Sequence, residues 1–175
     1  MENIEICYHK TQYGELVIGT YENQLCLCDW KFRKMRTVID HRIKTTLDST
    51  FDLQENDLQL KTKKQLDEYF RKERNSFDLP LLMLGTDFQI SVWNKLIEIP
   101  YGTTISYLKL AQNINNVKAI RAVATANGAN AISIIIPCHR VVGHDGEMVG
   151  YAGGITVKKA LLTLEAGVKD QLSLF

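Results

Sequence analysis

Proline is scarce in this chain, 3 residues in 175, and the 11 glycines form no repeat, so collagen-like and low-complexity architectures are excluded. Charge of one sign is also lacking. Lys and Arg total 21 against 20 Asp and Glu, which leaves no strong field to draw in a polyanion or a membrane surface. Dividing the chain at Gly85 gives 13 basic against 14 acidic residues before it and 8 against 6 after it, only a faint tilt. No long apolar run exists either: the longest, from Ala131 to Pro137, is broken by Ser133 and falls far short of the roughly 20 residues a bilayer requires. The N-terminal MENIEICYHK has no basic region followed by an apolar stretch, so export is not expected and the reading is a cytoplasmic protein without a membrane partner. A Gly-x-Gly-x-x-Gly fingerprint for dinucleotides is absent too. Four cysteines in a chain able to build its own core read as free thiols in a reducing compartment, and the question becomes which of them reacts.

What is present is a globular composition, 45% hydrophobic and 23% charged, of a size for one ordinary domain or two small ones. Ile4 to Tyr8, Glu15 to Tyr21 and Gln24 to Trp30 read as an antiparallel meander with turns at Tyr13-Gly14 and Glu22-Asn23. Val38 to Leu47 is polar and ambiguous, whereas Leu60 to Phe70 carries a helical spacing. Pro80 ends helical structure, and a junction near Gly85 divides residues 1–85 from residues 86–167, with 168–175 as a tail. Thr86 or Asp87 can cap a helix bearing Phe88, Val92, Trp93 and Leu96. Ser106 to Ile114 and Val117 to Asn127, joined by Asn115-Asn116, read either as a helix-turn-helix or as an ordinary helical hairpin. Ile132 to Ile136 reads as extended, and Ile155 to Leu164 as a last helix. The fold class expected is α+β.

The chemistry gathers at Ile136-Pro137-Cys138-His139-Arg140. An adjacent imidazolium or guanidinium favours thiolate, the nucleophilic form, although a buried structural cysteine would leave the same trace. On an extended segment His139 would face away from the sulfur, so a water or a bend at Pro137 would have to relay the proton.

IPCHRVVG, preceded by IRAVATANGANAISI and followed by GYAGGITVKKALLTLEAG, resembles the active-site region of the O6-alkylguanine-DNA alkyltransferases, also called methylated-DNA–protein-cysteine methyltransferases. The likeness runs upstream through GTDFQISVWNKLIEIPYGTTISY and covers Gly85 to Gly167 nearly continuously. It implies a ribonuclease-H-like N-terminal domain and a winged helix-turn-helix domain. The implied activity is one irreversible transfer of an alkyl group from O6 of guanine in double-stranded DNA to Cys138, by a monomer needing no cofactor. His139, through a water, would pass the thiol proton towards Glu165, and Tyr107 would donate to the departing base. The damaged nucleotide would be flipped, with Arg121 filling the gap and Ala119, Ala122, Asn127 and Tyr107 among the DNA-contacting residues. Small neighbours Ala124, Ala126, Gly128 and Ala129 would let that helix press into a minor groove. Asn130 would be the hinge before the cysteine segment, and Val141, Tyr151, Ala152 and Gly153 would belong to the base pocket and its supports.

Two departures stand out. Ala131 stands where family members often have proline and Ser133 where some have a second one, which is expected to loosen the pocket wall and to bear on the range of alkyl groups beyond methyl. Some members also bind zinc in the first domain, but the spacing of Cys7, His9, Cys26 and Cys28 fits no standard zinc pattern, and these read as buried small side chains without a metal. His41 and His144 read as surface residues. Gln171-Leu172-Ser173-Leu174-Phe175 resembles the pentapeptide with which many bacterial repair proteins and polymerases dock on the replication sliding clamp. Two rival functions remain in view from the residues alone: a non-catalytic DNA-binding protein, and a cysteine hydrolase acting on an acyl substrate.

Overall fold

The computed structural model describes residues 2–167; the Gln171–Phe175 segment lies outside the described residues. Among them the chain is a mixed α+β protein with six α-helices and two small sheets. It divides into two compact units. One runs up to Gly85 and takes in Ala131–Ile135; the other runs from Thr86 to Asn130 and resumes at Ile136. The second stretch of the first unit lies inside the range that the sequence assigns to the C-terminal domain.

In the first unit, strands β1 (Ile4–Thr11), β2 (Gly14–Tyr21) and β3 (Gln24–Trp30) form the expected meander. Glu22 and Asn23 both take positive φ, 46° and 58°, the handedness that a two-residue hairpin connection demands. The sheet is not purely antiparallel. Strand β4 (Phe51–Leu53) adds to β1 in parallel, giving the order β3-β2-β1-β4, and three residues are too few to show a period in sequence. Helix α1 (Arg36–Leu47) makes the crossover and resolves the ambiguous stretch; it buries Ile39 and Ile43 against Ile4, Ile6, Val17 and Leu27. Helix α2 (Asp57–Phe70) starts at Asn56, whose side chain accepts from Gln59 N while the Gln59 side chain accepts from Asn56 N. Gln59 Nε2 also donates to Glu5 O at 2.7 Å, which docks α2 onto β1.

The outer edge of β3 is closed twice. Leu25 N donates to Pro80 O and Leu82 N to Leu25 O, and further along Cys28 N donates to Ala131 O and Ser133 N to Cys28 O. Paired in this way, the edge presents no free ladder. Cys7, Cys26 and Cys28 are all buried small side chains, and burial pushes the Cys26 thiol up to about 12. His9 instead bonds Asp67 at 2.8 Å, and His41 and His144 are exposed.

In the second unit helix α3 (Asp87–Ile97) begins at a Thr86–Gln89 capping box, an arrangement that stabilises a helix start by about 1 kcal/mol. Its Trp93 donates from Nε1 to Ala126 O at 2.8 Å. That bond joins α3 to α5 (Ile120–Gly128), which follows α4 (Tyr107–Asn113) after a short turn of 3-10 helix at Val117–Ala119. The two-residue strands β5 (Ile105–Ser106) and β6 (Val141–Val142) pair in parallel, and α6 (Ile155–Ala166) closes the unit.

Candidate active site

The run Ile132 to Ile136 is not a strand. Ile132 makes a single bridge to Cys28, and the chain then turns twice. At Ile134, φ is +72° and Ile135 N donates to Ser133 O at 2.8 Å, a γ-turn of the rarer positive-φ kind that costs a β-branched residue on the order of 1–3 kcal/mol. At Pro137, φ −82° and ψ 62° with Cys138 N donating to Ile136 O at 2.8 Å give the inverse γ-turn. Four isoleucines leading up to a proline suggest a buried strand; their side chains are buried, but the backbone from Ser133 to Cys138 is taken up by turns.

Cys138 therefore opens one turn of 3-10 helix, Cys138–Arg140, rather than standing at the end of a strand. It is 4% exposed. Asn130 Nδ2 donates to Ile136 O at 2.9 Å, closing the base of the loop. Asn127, expected on the DNA-facing surface, is instead buried; its amide donates to Cys138 O at 3.4 Å. Tyr107, first residue of α4, follows directly on the Ser106–Val142 pair that ends the parallel β5–β6 ribbon. Burial, then the nearby Cys138, push the Tyr107 hydroxyl above its ordinary range, with the Asn127 side chain opposing them.

Behind the cysteine lies a buried charged network. His139 Nε2 bonds Glu165 Oε1 at 2.7 Å. Arg140 grips the same carboxylate with Nε to Oε2 at 2.9 Å and Nη2 to Oε1 at 3.0 Å, and spends Nη1 on Ile99 O at 2.7 Å. Gly102 N adds a longer bond to Oε2, and Gly102 (φ +77°) has no room for a side chain, since a Cβ would stand 3.0 Å from Glu165 O. Desolvation opposes ionisation of Glu165, but the His139 and Arg140 bonds win and hold its pKa at about 2. His139 is fully buried, and that burial, outweighing the Glu165 bond, pushes its pKa below the ordinary value. At neutral pH the pair is thus imidazole and carboxylate. The carboxylate can only accept, so Nε2 carries the proton and Nδ1 keeps a lone pair; Nδ1 has no hydrogen-bond partner among the described residues.

Lys158 escaped the sequence reading. It is fully buried in α6, donating to Val141 O at 2.6 Å, Val149 O at 2.9 Å and Gly150 O at 3.3 Å. Its neighbour Lys159 is exposed, and nothing in KKALL distinguishes the two. Lys158 ties the 143–150 loop to β6, and Tyr107 Oη reaches Val149 O of the same loop at 3.5 Å. Tyr151, Ala152 and Gly153 follow, half-buried, with the Tyr151 ring edge-on to His139 at 6.3 Å. On α5, Arg121, Ala122, Thr125 and Gly128 are exposed on one side while Val123, Ala126 and Asn127 face inward, and Ala119 just before the helix is half-buried. Ala126 thus serves packing, and the small-residue surface carrying Arg121 is narrower than the sequence implies.

A buried thiol next in sequence to a neutral imidazole, itself oriented by an ionised carboxylate, is an arrangement able to activate a cysteine as a nucleophile. Comparison with known proteins makes the class specific. The family described as 6-O-methylguanine DNA methyltransferase, DNA binding domain, matches residues 87–167. The methylated-DNA–protein-cysteine methyltransferase of Methanosarcina acetivorans is 55% identical over 102 residues, 58% of this chain and 65% of that protein. The inducible methylated-DNA–protein-cysteine methyltransferase of Bacillus subtilis is 44% identical over 108 residues, 62% of this chain and 60% of that protein. The chain thus spans less than two thirds of the length of these curated relatives. Among solved structures, Mycobacterium tuberculosis OGT in complex with DNA superimposes with a TM-score of 0.79 at 38% identity, covering 93% of this chain and 92% of that one. This protein belongs to the 6-O-methylguanine DNA methyltransferase family.

Proposed function

We propose that this protein repairs DNA by taking the alkyl group of O6-alkylguanine onto Cys138 in a single turnover. The observation that carries the reading is the buried His139–Glu165 pair behind Cys138, with the His139 Nδ1 lone pair unengaged. A water between Sγ and Nδ1 would let His139 take the thiol proton, Glu165 stabilising the imidazolium that forms. Sulfur then attacks the saturated carbon from behind: the S–C bond forms, the C–O6 bond breaks, and its electron pair stays on the base, which Tyr107 stabilises as a donor before the base regains a proton. The product is a thioether at an sp3 carbon with no carbonyl for water to attack, so the protein is consumed. The thioester of a cysteine hydrolase would turn over, and a purely DNA-binding protein would have no use for the His139–Glu165 pair.

The exposed Arg121, with small Ala122, Thr125 and Gly128 around it, supports docking of α5 in a minor groove with Arg121 replacing the flipped nucleotide. The α4–α5 pair and the β5–β6 ribbon support a winged helix-turn-helix reading of the second unit, and the β3-β2-β1-β4 order supports a ribonuclease-H-like reading of the first. We take the protein to act on DNA in the cytoplasm as a monomer. Incubating it with a duplex carrying O6-methylguanine should add roughly 14 Da, a methyl replacing a hydrogen, to the peptide containing Cys138, with one lesion removed per protein. Methanol released catalytically, or a lesion untouched under excess protein, would overturn this function.

Gln171-Leu172-Ser173-Leu174-Phe175 supports a second contact, with the replication sliding clamp, through an apolar pocket that receives Leu174 and Phe175. Deleting residues 171–175 should abolish binding to immobilised clamp and leave alkyl transfer on free duplex unchanged. Undiminished clamp binding ends the idea.

A further inference from the structure

We propose that Asp29 and Ser133 are positioning residues for the transfer to Cys138, acting together as a clamp that keeps the strained turn at Ile134 in place; the inference rests on the alkyl-transfer reading above. Asp29, at the end of β3, is fully buried. Its Oδ2 accepts from Arg33 Nη1 and Arg36 Nη1, each at 2.9 Å, and Arg36 is held in turn by Asp40 through Nε at 2.8 Å. That leaves Oδ1 for Ser133, whose hydroxyl donates to it at 2.9 Å. A carboxylate braced by two guanidinium groups is a fixed acceptor, so the serine it binds is fixed as well.

Ser133 is held at three points. Its N–H donates to Cys28 O at 2.6 Å, its hydroxyl to Asp29, and its carbonyl accepts from Ile135 N to close the γ-turn. Ile134 at φ +72° is a conformation a β-branched residue leaves unless its surroundings over-determine it, and the bonds of Ser133 supply that determination. From Ile134 to the sulfur-bearing residue the chain has only Ile135, Ile136 and Pro137, the last with φ fixed by its ring. A relaxed turn at Ile134 therefore shifts Cys138, and displacement at carbon demands an aligned sulfur. The proline position that was expected to leave the wall loose is thus tied by a device proline cannot reproduce, since proline has neither the N–H nor the hydroxyl.

The test is single-turnover transfer from an O6-methylguanine duplex by the full-length chain, with duplex affinity measured in parallel. Ser133→Ala should lower the first-order rate constant at saturating duplex about tenfold, with the dissociation constant unchanged within about twofold. Ser133→Thr, which keeps the hydroxyl, should recover the native rate within about threefold. Asp29→Asn repeats the measurement should Ser133→Ala not fold, and the same split between rate and affinity is expected. A rate constant within about twofold of native in the folded variant, even with a lowered melting temperature, overturns the clamp and assigns these residues to stability alone. No transfer by the native protein overturns the function and the clamp with it, whereas native transfer matched by the variant overturns the clamp only.

Discussion

Cys138→Ser is expected to bind an O6-methylguanine duplex as tightly as the native protein and to transfer nothing, a loss of at least about a thousandfold in rate. The substitution changes one atom at a site that is already buried and whose backbone is held through Cys138 N, its carbonyl and the Pro137 turn, none of which involves sulfur. Folding and DNA affinity are therefore retained. Oxygen is a harder and more basic nucleophile, and a neutral imidazole cannot hold enough of it as alkoxide for attack on saturated carbon. Mass spectrometry after incubation should find the variant unmodified while a gel-shift assay finds it bound. A mass gain in Cys138→Ser would move the acceptor to another residue.

The second large effect belongs to Glu165→Gln. The carboxylate receives His139, the Nε–Nη2 edge of the Arg140 guanidinium and Gly102 N, with its own side chain 1% exposed. An amide presents one oxygen to these donors and sets an NH2 against the others, leaving a buried guanidinium without its counter-charge. The expected cost is about 3–5 kcal/mol, and on the order of 10 °C in melting temperature for a chain of this size. Transfer should also fall, because nothing then fixes the His139 tautomer that exposes the Nδ1 lone pair. The acid limb of stability follows the same group. The Glu165 pKa is lowered to about 2 from an ordinary 4.5, so its contribution is complete above about 4.5 and disappears as pH falls towards 2, a total of about 3 kcal/mol. His139 adds to the trend, since its pKa is depressed by burial and the unfolded imidazole takes a proton more readily as pH drops below about 6.5. Urea denaturation between pH 6 and pH 2.5 should show native stability falling more steeply below pH 4.5 than that of Glu165→Gln. Parallel slopes would assign the acid sensitivity elsewhere.

The first three strands, α2 and α3 are legible because each carries its own local signal: short runs bounded by turns, the helical spacing of Leu60, Leu66, Tyr69 and Phe70, or a cap at Thr86. Helix α1 has no side-chain cap, and β4 is only three residues long, so neither announces itself. The isoleucine-rich approach to Cys138 looks like a strand in sequence because β-branched residues mark burial as well as strands, and the positive φ at Ile134 depends on partners more than a hundred positions away, such as Asp29. Cys138 and His139 stand together in the sequence. Glu165 was reached only through the family resemblance, since 26 residues separate it from the imidazole it orients. Asn127 reads as a surface amide at the end of a helix, and its burial against the Cys138 carbonyl becomes visible only in the fold. Lys158 left no signal at all, because a buried ammonium satisfied by three carbonyls is a property of the loop that wraps it.

The doubly closed margin of β3 bears on how the polypeptide can be cut. A fragment ending at Gly85 would retain the Pro80–Leu82 cover but lose Ala131–Ile135, baring the Cys28 amide and carbonyl, removing Ala131 from the core around Ile39 and Ile43, and depriving Asp29 of its hydroxyl donor. Such a fragment would present a ready template for intermolecular strand addition and would tend to self-associate in solution. The two halves are therefore poor candidates for separate expression, and a soluble N-terminal piece is better built by grafting residues 131–135 onto it through a short artificial linker.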